Sequence, residues 1–496
     1  MEAEAAAKAA HDATVKQVRS LYGAITSKPP YCYGTVPLDE DDFLLYYGKD
    51  ENARRINLSH ATTEQLQHLA DTCDPATFGV KGRDVYDEAY RKAGKLDARH
   101  FALTWSPASA ALLDVVRDQL FFETMSRTFP PDQTTNIRAE LYKLNVYGPQ
   151  SFFKRHVDTP RDDTMFGSLV IVYPTTHEGG ELVLRSYDEG PRRKKWTVDS
   201  SSLLSQTNTP SIAYAAFFSD VEHEVRPVQS GYRVMITYNL HFVPESVPTT
   251  QVAPQPQHIP SHENKFRKTF QALLDNPAFL PDGGNLLFCL WHHYPLPTPT
   301  EDTTLEESRE ALRAVADRLK GSDAMVMQVI RTLGLDVTLR IVVQDWAEDT
   351  GFPNYCVMCD HAVELKKTEF EADTLNEYLI NQHNATLINR PFRRLEGWGP
   401  YSPPARPAVD PAANADSMRG DATNTSQERK MQVYWVTYYL LALGHGKAGP
   451  PEQTSYMAYG NEATIAHAYW KVSLLVRVGP FGQRATAAAG PQLQQR

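Results

Sequence analysis

The chain has 496 residues, 42% hydrophobic and 22% charged, a composition of folded domains and not of disordered chains. Its net charge of −10 excludes a global basic field for nucleic acid or an anionic membrane. Five cysteines do not make a disulfide framework, and no apolar run approaches the roughly 18 residues of a membrane span, so the expectation is an intracellular protein, cytoplasmic or nuclear, without membrane association.

Residues 1–130 read as mainly helical. Met1 to Arg19 is Ala-rich with scattered charges and lacks the apolar run of a secretory signal. Leu66, Leu69 and Ala70 fall at helical spacing within Thr62 to Asp71. Ala108 to Met125 puts Ala111, Leu112, Val115, Val116, Leu120 and Phe121 on one face, with Pro107 just before it. The expectation is an N-terminal helical layer packed on a sheet. In residues 131–243 the texture changes. Apolar runs at 141–147, 168–173, 181–185, 212–218 and 233–242 are separated by Gly148-Pro149, Gly179-Gly180, Thr209-Pro210 and Gly231, which predicts an antiparallel sandwich or barrel. Gly179-Gly180 reads as a hairpin turn without a chemical role. Pro244, Pro248, Pro254, Pro256 and Pro260 mark 244–263 as a linker. Residues 264–480 read as a mixed α/β accessory region, with helices over Asn264 to Asn276 and Thr304 to Lys320 and strands at 285–290, 337–343 and 471–478. A flexible insertion is expected at 398–428 and a disordered tail at 481–496.

The chemistry concentrates in two places. His156-Val157-Asp158 is the one His-x-acid triplet here, where composition alone predicts about two. Its weight therefore rests on placement. Alternation along a strand puts residues i and i+2 on one face, so His156 and Asp158 can share an ion while Val157 points away. His223 follows a later strand, and Arg233 opens the next. Two imidazoles and one carboxylate are the facial ligand set of non-haem Fe(II) oxygenases. Glu222 and Glu224 flank His223 and are candidates to orient it, though solvent-facing positions suit them better. Cys356-x-x-Cys359 with His361 falls short of a four-ligand zinc set and reads as ordinary thiols. There is no phosphate-binding glycine loop.

Tyr147-Gly148-Pro149, His156-Val157-Asp158-Thr159, Gly179-Gly180-Glu181-Leu182, Phe218-Ser219-Asp220, His223-Glu224-Val225-x-Pro227 and Gly231-Tyr232-Arg233 resemble the prolyl-4-hydroxylase-like 2-oxoglutarate- and Fe(II)-dependent dioxygenases. The likeness extends to the hypoxia-factor prolyl hydroxylases and covers roughly 138–243. It implies an α+β protein built on a double-stranded β-helix, an eight-stranded jelly roll. His156, Asp158 and His223 would hold Fe(II). Arg233 would grip the C5 carboxylate of 2-oxoglutarate with its planar fork. Tyr147 matches a tyrosine that reaches this co-substrate, and Tyr173 is a further candidate for the same pocket. The implied cofactors are Fe(II), 2-oxoglutarate and O₂, with ascorbate as an optional reductant.

The resemblance describes iron and co-substrate, not the substrate. Hydroxylation of a peptidyl residue, proline first, is the leading expectation. A small-molecule hydroxylase or desaturase of secondary metabolism fits the same residues. Nucleic-acid demethylation fits less well, because Asn239 stands where that branch carries a second arginine. A reading of another class is a catalytically silent binding protein. The oligomeric state is not legible.

Overall fold

The computed structural model describes residues 2–25, 29–49, 52–80, 83–108, 111–121, 136–159, 161–185, 194–243, 261–300, 302–343, 355–363, 379–389, 430–437 and 467–484. The expected linker up to residue 260, the expected insertion at 398–428 and the tail beyond 484 lie outside these residues.

Eight strands form a sandwich: β1 (Asn136–Tyr147), β2 (Phe152–His156), β3 (Met165–Val172), β4 (Leu182–Arg185), β5 (Lys195–Val198), β6 (Ser211–Phe218), β7 (Glu222–Val225) and β8 (Arg233–Val243). One sheet carries the order β6-β3-β8-β1 and the other β5-β4-β7-β2. Successive strands cross between the sheets, except for the β4–β5 hairpin, and every pair among the eight is antiparallel. This is jelly-roll topology. β3 and β6 are buried at every position, so the alternation expected of half-exposed strands is missing there. Their Val, Ile, Leu, Ala and Phe content still marks them as strands.

The N-terminal region differs from the expected helical layer. Two short helices, Thr63–Thr72 and Leu112–Leu120, do pack on the larger sheet. The first begins with a capping box between Thr62 and Gln65. Short strands accompany them. Tyr31–Pro37 extends the larger sheet beside β6, while Gly94–Asp97 and Asp74–Pro75 extend it beyond β1. Arg91–Lys92 adds an edge strand to the smaller sheet beside β2. Strands of two to seven residues offer too few alternations to read in a sequence.

The first helix, Glu2–Ala24, belongs to a different core. Its Val18, Leu21 and Ala24 are buried with Phe266, Phe270 and Leu274 of helix Ser261–Leu274. That core lies on a single seven-stranded sheet whose longest pair is Gly284–Pro297 and His467–Val478. No second sandwich is present among the described residues. Helix Leu305–Ala314 starts with a capping box between Thr304 and Glu307 but stops well before Lys320. Lys320 instead caps a further helix, Gly321–Thr332, which the sequence reading did not anticipate. Residues 321–330 of that helix are all buried, so it shows no apolar stripe to read. No described helix is long and apolar enough to cross a membrane.

Leu21 is fully buried between the first helix and the C-terminal core. Leu21→Ala is expected to cost about 2–5 kcal/mol in denaturant unfolding. An unchanged midpoint would mean that this helix is not docked there.

Candidate metal centre

Strand pairing brings the motif residues together. β2 and β7 are neighbours, and His156 is the cross-strand partner of His223. Asp158 lies two residues past the end of β2. One ligand atom from each of His156, Asp158 and His223 falls within 4.8 Å of the others, and all three side chains are buried. This is the one such group of potential metal ligands among the described residues.

The backbone orients both imidazoles. His156 Nδ1 sits 2.8 Å from the Lys154 carbonyl, and His223 Nδ1 sits 2.9 Å from the Val221 carbonyl. A carbonyl only accepts, so each Nδ1 carries the proton and each Nε2 offers a lone pair. Burial, and then the neighbouring His223, holds His156 well below the ordinary imidazole range. It is therefore a neutral donor at neutral pH. Phe153 stacks on His156 at 3.5 Å between ring centroids, and Phe217 lies 4.6 Å from His223. The Ser168 hydroxyl donates to Asp158 Oδ2, while Oδ1 lies 3.7 Å from His223 Nε2. The donor set, two imidazole nitrogens and one carboxylate oxygen, fits a divalent non-haem iron. Backbone carbonyls and Ser168 supply the outer hydrogen bonds such ligands need.

These residues share one cavity, of about 50 Å³, with Tyr147, Arg233 and Arg91. Period-two alternation selects the lining: Asn145 and Tyr147 from β1, Ser168 and Val170 from β3, and Arg233, Met235 and Thr237 from β8. Tyr147 and Arg233 are cross-strand partners, with the guanidinium 5.8 Å from the ring centroid. Arg233 is 1% exposed. Among the described residues it has no carboxylate partner, its Nε is unsatisfied, and one Nη contacts only the Met235 sulfur at 2.7 Å. Burial draws its pKa down to about 10, with Tyr147 and Glu181 opposing, so it stays charged at neutral pH.

Two expectations need correction. Tyr173 does not line this cavity. It lies one residue beyond β3 and sits edge-on to Phe43, with ring centroids 6.5 Å apart. Glu222 and Glu224 orient neither histidine. They face Arg185, Glu224 at 2.5 Å and Glu222 at 3.9 Å. The Cys356 and Cys359 thiols are buried, and His361 bonds Asp360 at 2.7 Å and His383 at 2.9 Å.

The family comparison agrees with this geometry. Residues 142–241 match the model of the 2OG-Fe(II) oxygenase superfamily. No curated protein sequence matches the chain. Solved structures similar to it include a Pseudomonas putida prolyl-4-hydroxylase, 15% identical, covering 45% of this chain and 98% of that one at a TM-score of 0.25. Another is a Trichoplax adhaerens prolyl hydroxylase in complex with a hypoxia-inducible-factor peptide fragment, also 15% identical, covering 47% and 92% at a TM-score of 0.25. A 2OG-Fe(II) oxygenase family oxidoreductase from Burkholderia pseudomallei is 18% identical over 36% of this chain and 78% of that one, at a TM-score of 0.21. At such scores the structural likeness carries nothing about this chain's substrate.

Sequence reasoning missed two supports of the oxygenase site. Ser168 is the lone hydroxyl in an otherwise apolar, fully buried strand, and that polarity was the available signal. Gly180 looked like a plain turn residue. Its φ is +73°, and a Cβ there would lie 2.9 Å from Arg233 Cδ and from Val228 Cγ2. Gly180→Ala is expected to displace the guanidinium and weaken 2-oxoglutarate binding on the order of 10–100-fold. Co(II) affinity at the triad should be untouched. Wild-type 2-oxoglutarate affinity in a titration of this variant would show that Arg233 does not depend on that gap.

Proposed function

We propose that this chain is an Fe(II)- and 2-oxoglutarate-dependent dioxygenase that hydroxylates a peptidyl residue, with proline the first candidate. The observation that carries the oxygenase reading is the shared cavity. A three-donor metal set and a buried guanidinium without a carboxylate partner among the described residues line the same space. A buried cation of this kind calls for an anion. The substrate class rests on the motif resemblance alone.

With iron and 2-oxoglutarate bound, the centre would supply oxidative decarboxylation to succinate and CO₂ coupled to hydroxylation. The chain's own residues prepare that chemistry. The Lys154 and Val221 carbonyls hold the two imidazoles in the tautomer that presents Nε2. Ser168 holds one carboxylate oxygen of Asp158 and leaves the other toward the histidines. Arg233, beside Tyr147, would hold the distal carboxylate of the co-substrate. Phe153, Val170, Leu182, Phe217 and Val225 line the cavity with apolar surface that keeps water scarce. No side chain is assigned a general-base role, because hydroxylation of this kind requires none.

The test incubates the protein with Fe(II), 2-oxoglutarate and air against proline-containing peptides and a small-molecule panel. Succinate should form together with a one-oxygen mass gain on a prolyl peptide. Oxygen gain confined to small molecules would overturn the substrate class. Absence of succinate throughout would overturn the enzyme reading. Arg233→Ala is expected to raise the 2-oxoglutarate requirement on the order of 100-fold, the cost of leaving a carboxylate without its buried cation. An unchanged requirement would assign that carboxylate to another group.

A further inference from the structure

We infer that the C-terminal unit seats the metal ligands of the oxygenase domain, with Lys320 as the principal positioning residue and Arg318 as its companion. This rests on the triad reading above and gives the C-terminal half a role in it.

Asp220 lies in the turn between β6 and β7, three residues before His223, and is fully buried. Its carboxylate contacts come from the other unit. Lys320 Nζ donates to Oδ1 at 3.1 Å. The His293 backbone N–H donates to Oδ2 at 2.9 Å, and His292 Nδ1 lies 3.1 Å from the same oxygen. Lys320 is itself 1% exposed, and its ammonium also donates to the His293 carbonyl at 3.1 Å. Burial alone would raise the Asp220 carboxyl, but Lys320 and His292 hold it far below the usual carboxylate range.

The grip extends to the ligand in three covalent or hydrogen-bonded links. Lys320 holds Asp220. Asp220 is bonded to Val221, whose N–H closes the turn on the Phe218 carbonyl at 2.9 Å. The Val221 carbonyl fixes His223 Nδ1. Phe218, at the start of the turn, lies edge-on to His292 with centroids 4.6 Å apart. Gly321, at φ +45°, brings the helix start against His292 and Phe218. Asp323, in the first turn of that helix, receives the Trp291 and His292 N–H groups at 2.9 and 3.0 Å. This holds open the irregularity of strand Gly284–Pro297 that presents His292 and His293.

Two residues before Lys320, Arg318 Nη1 bonds both the carboxylate and the backbone carbonyl of Asp163 at 2.6 Å. Asp163 lies in the connection that follows Asp158. One short segment of the C-terminal unit thus holds the loop after one ligand and the turn before another.

The experiment uses the full chain with Co(II) as the probe, read by its d–d absorption and by titration, beside thermal unfolding of the metal-free protein. Lys320→Met is expected to lose 10-fold or more in Co(II) affinity, the usual consequence of removing an outer support of a ligand. Its d–d spectrum should change, and Lys320→Arg should restore both. Wild-type affinity and spectrum in a folded Lys320→Met protein would overturn the inference. Should Lys320→Met fail to fold, Asp220→Asn combined with Lys320→Met leaves no uncompensated buried charge. The same loss is expected there, and wild-type affinity there would be equally fatal. A folded Lys320→Arg protein that loses the signal would also overturn the inference. Failure of the wild-type protein to bind Co(II) would instead sink the triad reading itself.

Discussion

Arg233 is the constraint around which the oxygenase domain is built. A guanidinium at 1% exposure with no carboxylate partner among the described residues is costly to bury, by several kcal/mol even after relaxation. Apolar surface on β3, β6 and β8 offsets that cost, so the sandwich stabilises a group that on its own opposes folding. Tyr147 and Glu181 offset part of that cost as well, and an entering anion would offset more of it. A dicarboxylate that docks there gains from a cation already stripped of water and already aimed. The gap left by Gly180 belongs to the same logic, because the arginine stem occupies space that any β-carbon would fill.

The metal ligands are prepared by a different means. Their outer contacts come mainly from the backbone. Each histidine bonds the carbonyl two residues earlier in the chain, so the β2 main chain and the turn before β7 fix its tautomer. Side-chain partners could rotate away, whereas these carbonyls move only with the strand and the turn that carry them. Asp158 is the exception, since it lies past the strand end and borrows Ser168 from β3. Rigid imidazoles and one carboxylate steered from the facing sheet give a site whose geometry depends on how the two sheets are spaced.

How much could be read from the sequence follows from the length and burial of each element. The His156, Asp158, His223 and Arg233 pattern was legible because alternation and chain order constrain it before any fold is known. Tyr147 came from the motif resemblance and lines the cavity, whereas Tyr173 lies just beyond β3 and is not among the cavity's lining residues. The N-terminal strands were hidden by their shortness. Helix Gly321–Thr332 was hidden for the opposite reason, since burial on all sides erases the stripe that marks a helix. Glu222 and Glu224 could not be resolved from sequence, because their partner Arg185 lies on a neighbouring strand and pairing register is a tertiary property.

The contact between the two cores poses a sharper question about design. Burying Asp220 and Lys320 is a poor way to gain stability, because desolvation of both ions consumes most of their attraction. An apolar contact would hold two units together as well. Charge differs from apolar packing in its intolerance of misplacement. A hydrophobic interface can slide by an ångström at little cost, but a buried carboxylate that loses its ammonium becomes an uncompensated charge. The pair therefore fixes register more than it adds affinity. Register is what a turn three residues from a metal ligand needs, and less so the outer surface of the sandwich. Placed three residues before His223, the pair would carry the position of the C-terminal unit into the geometry of the centre through the Val221 carbonyl.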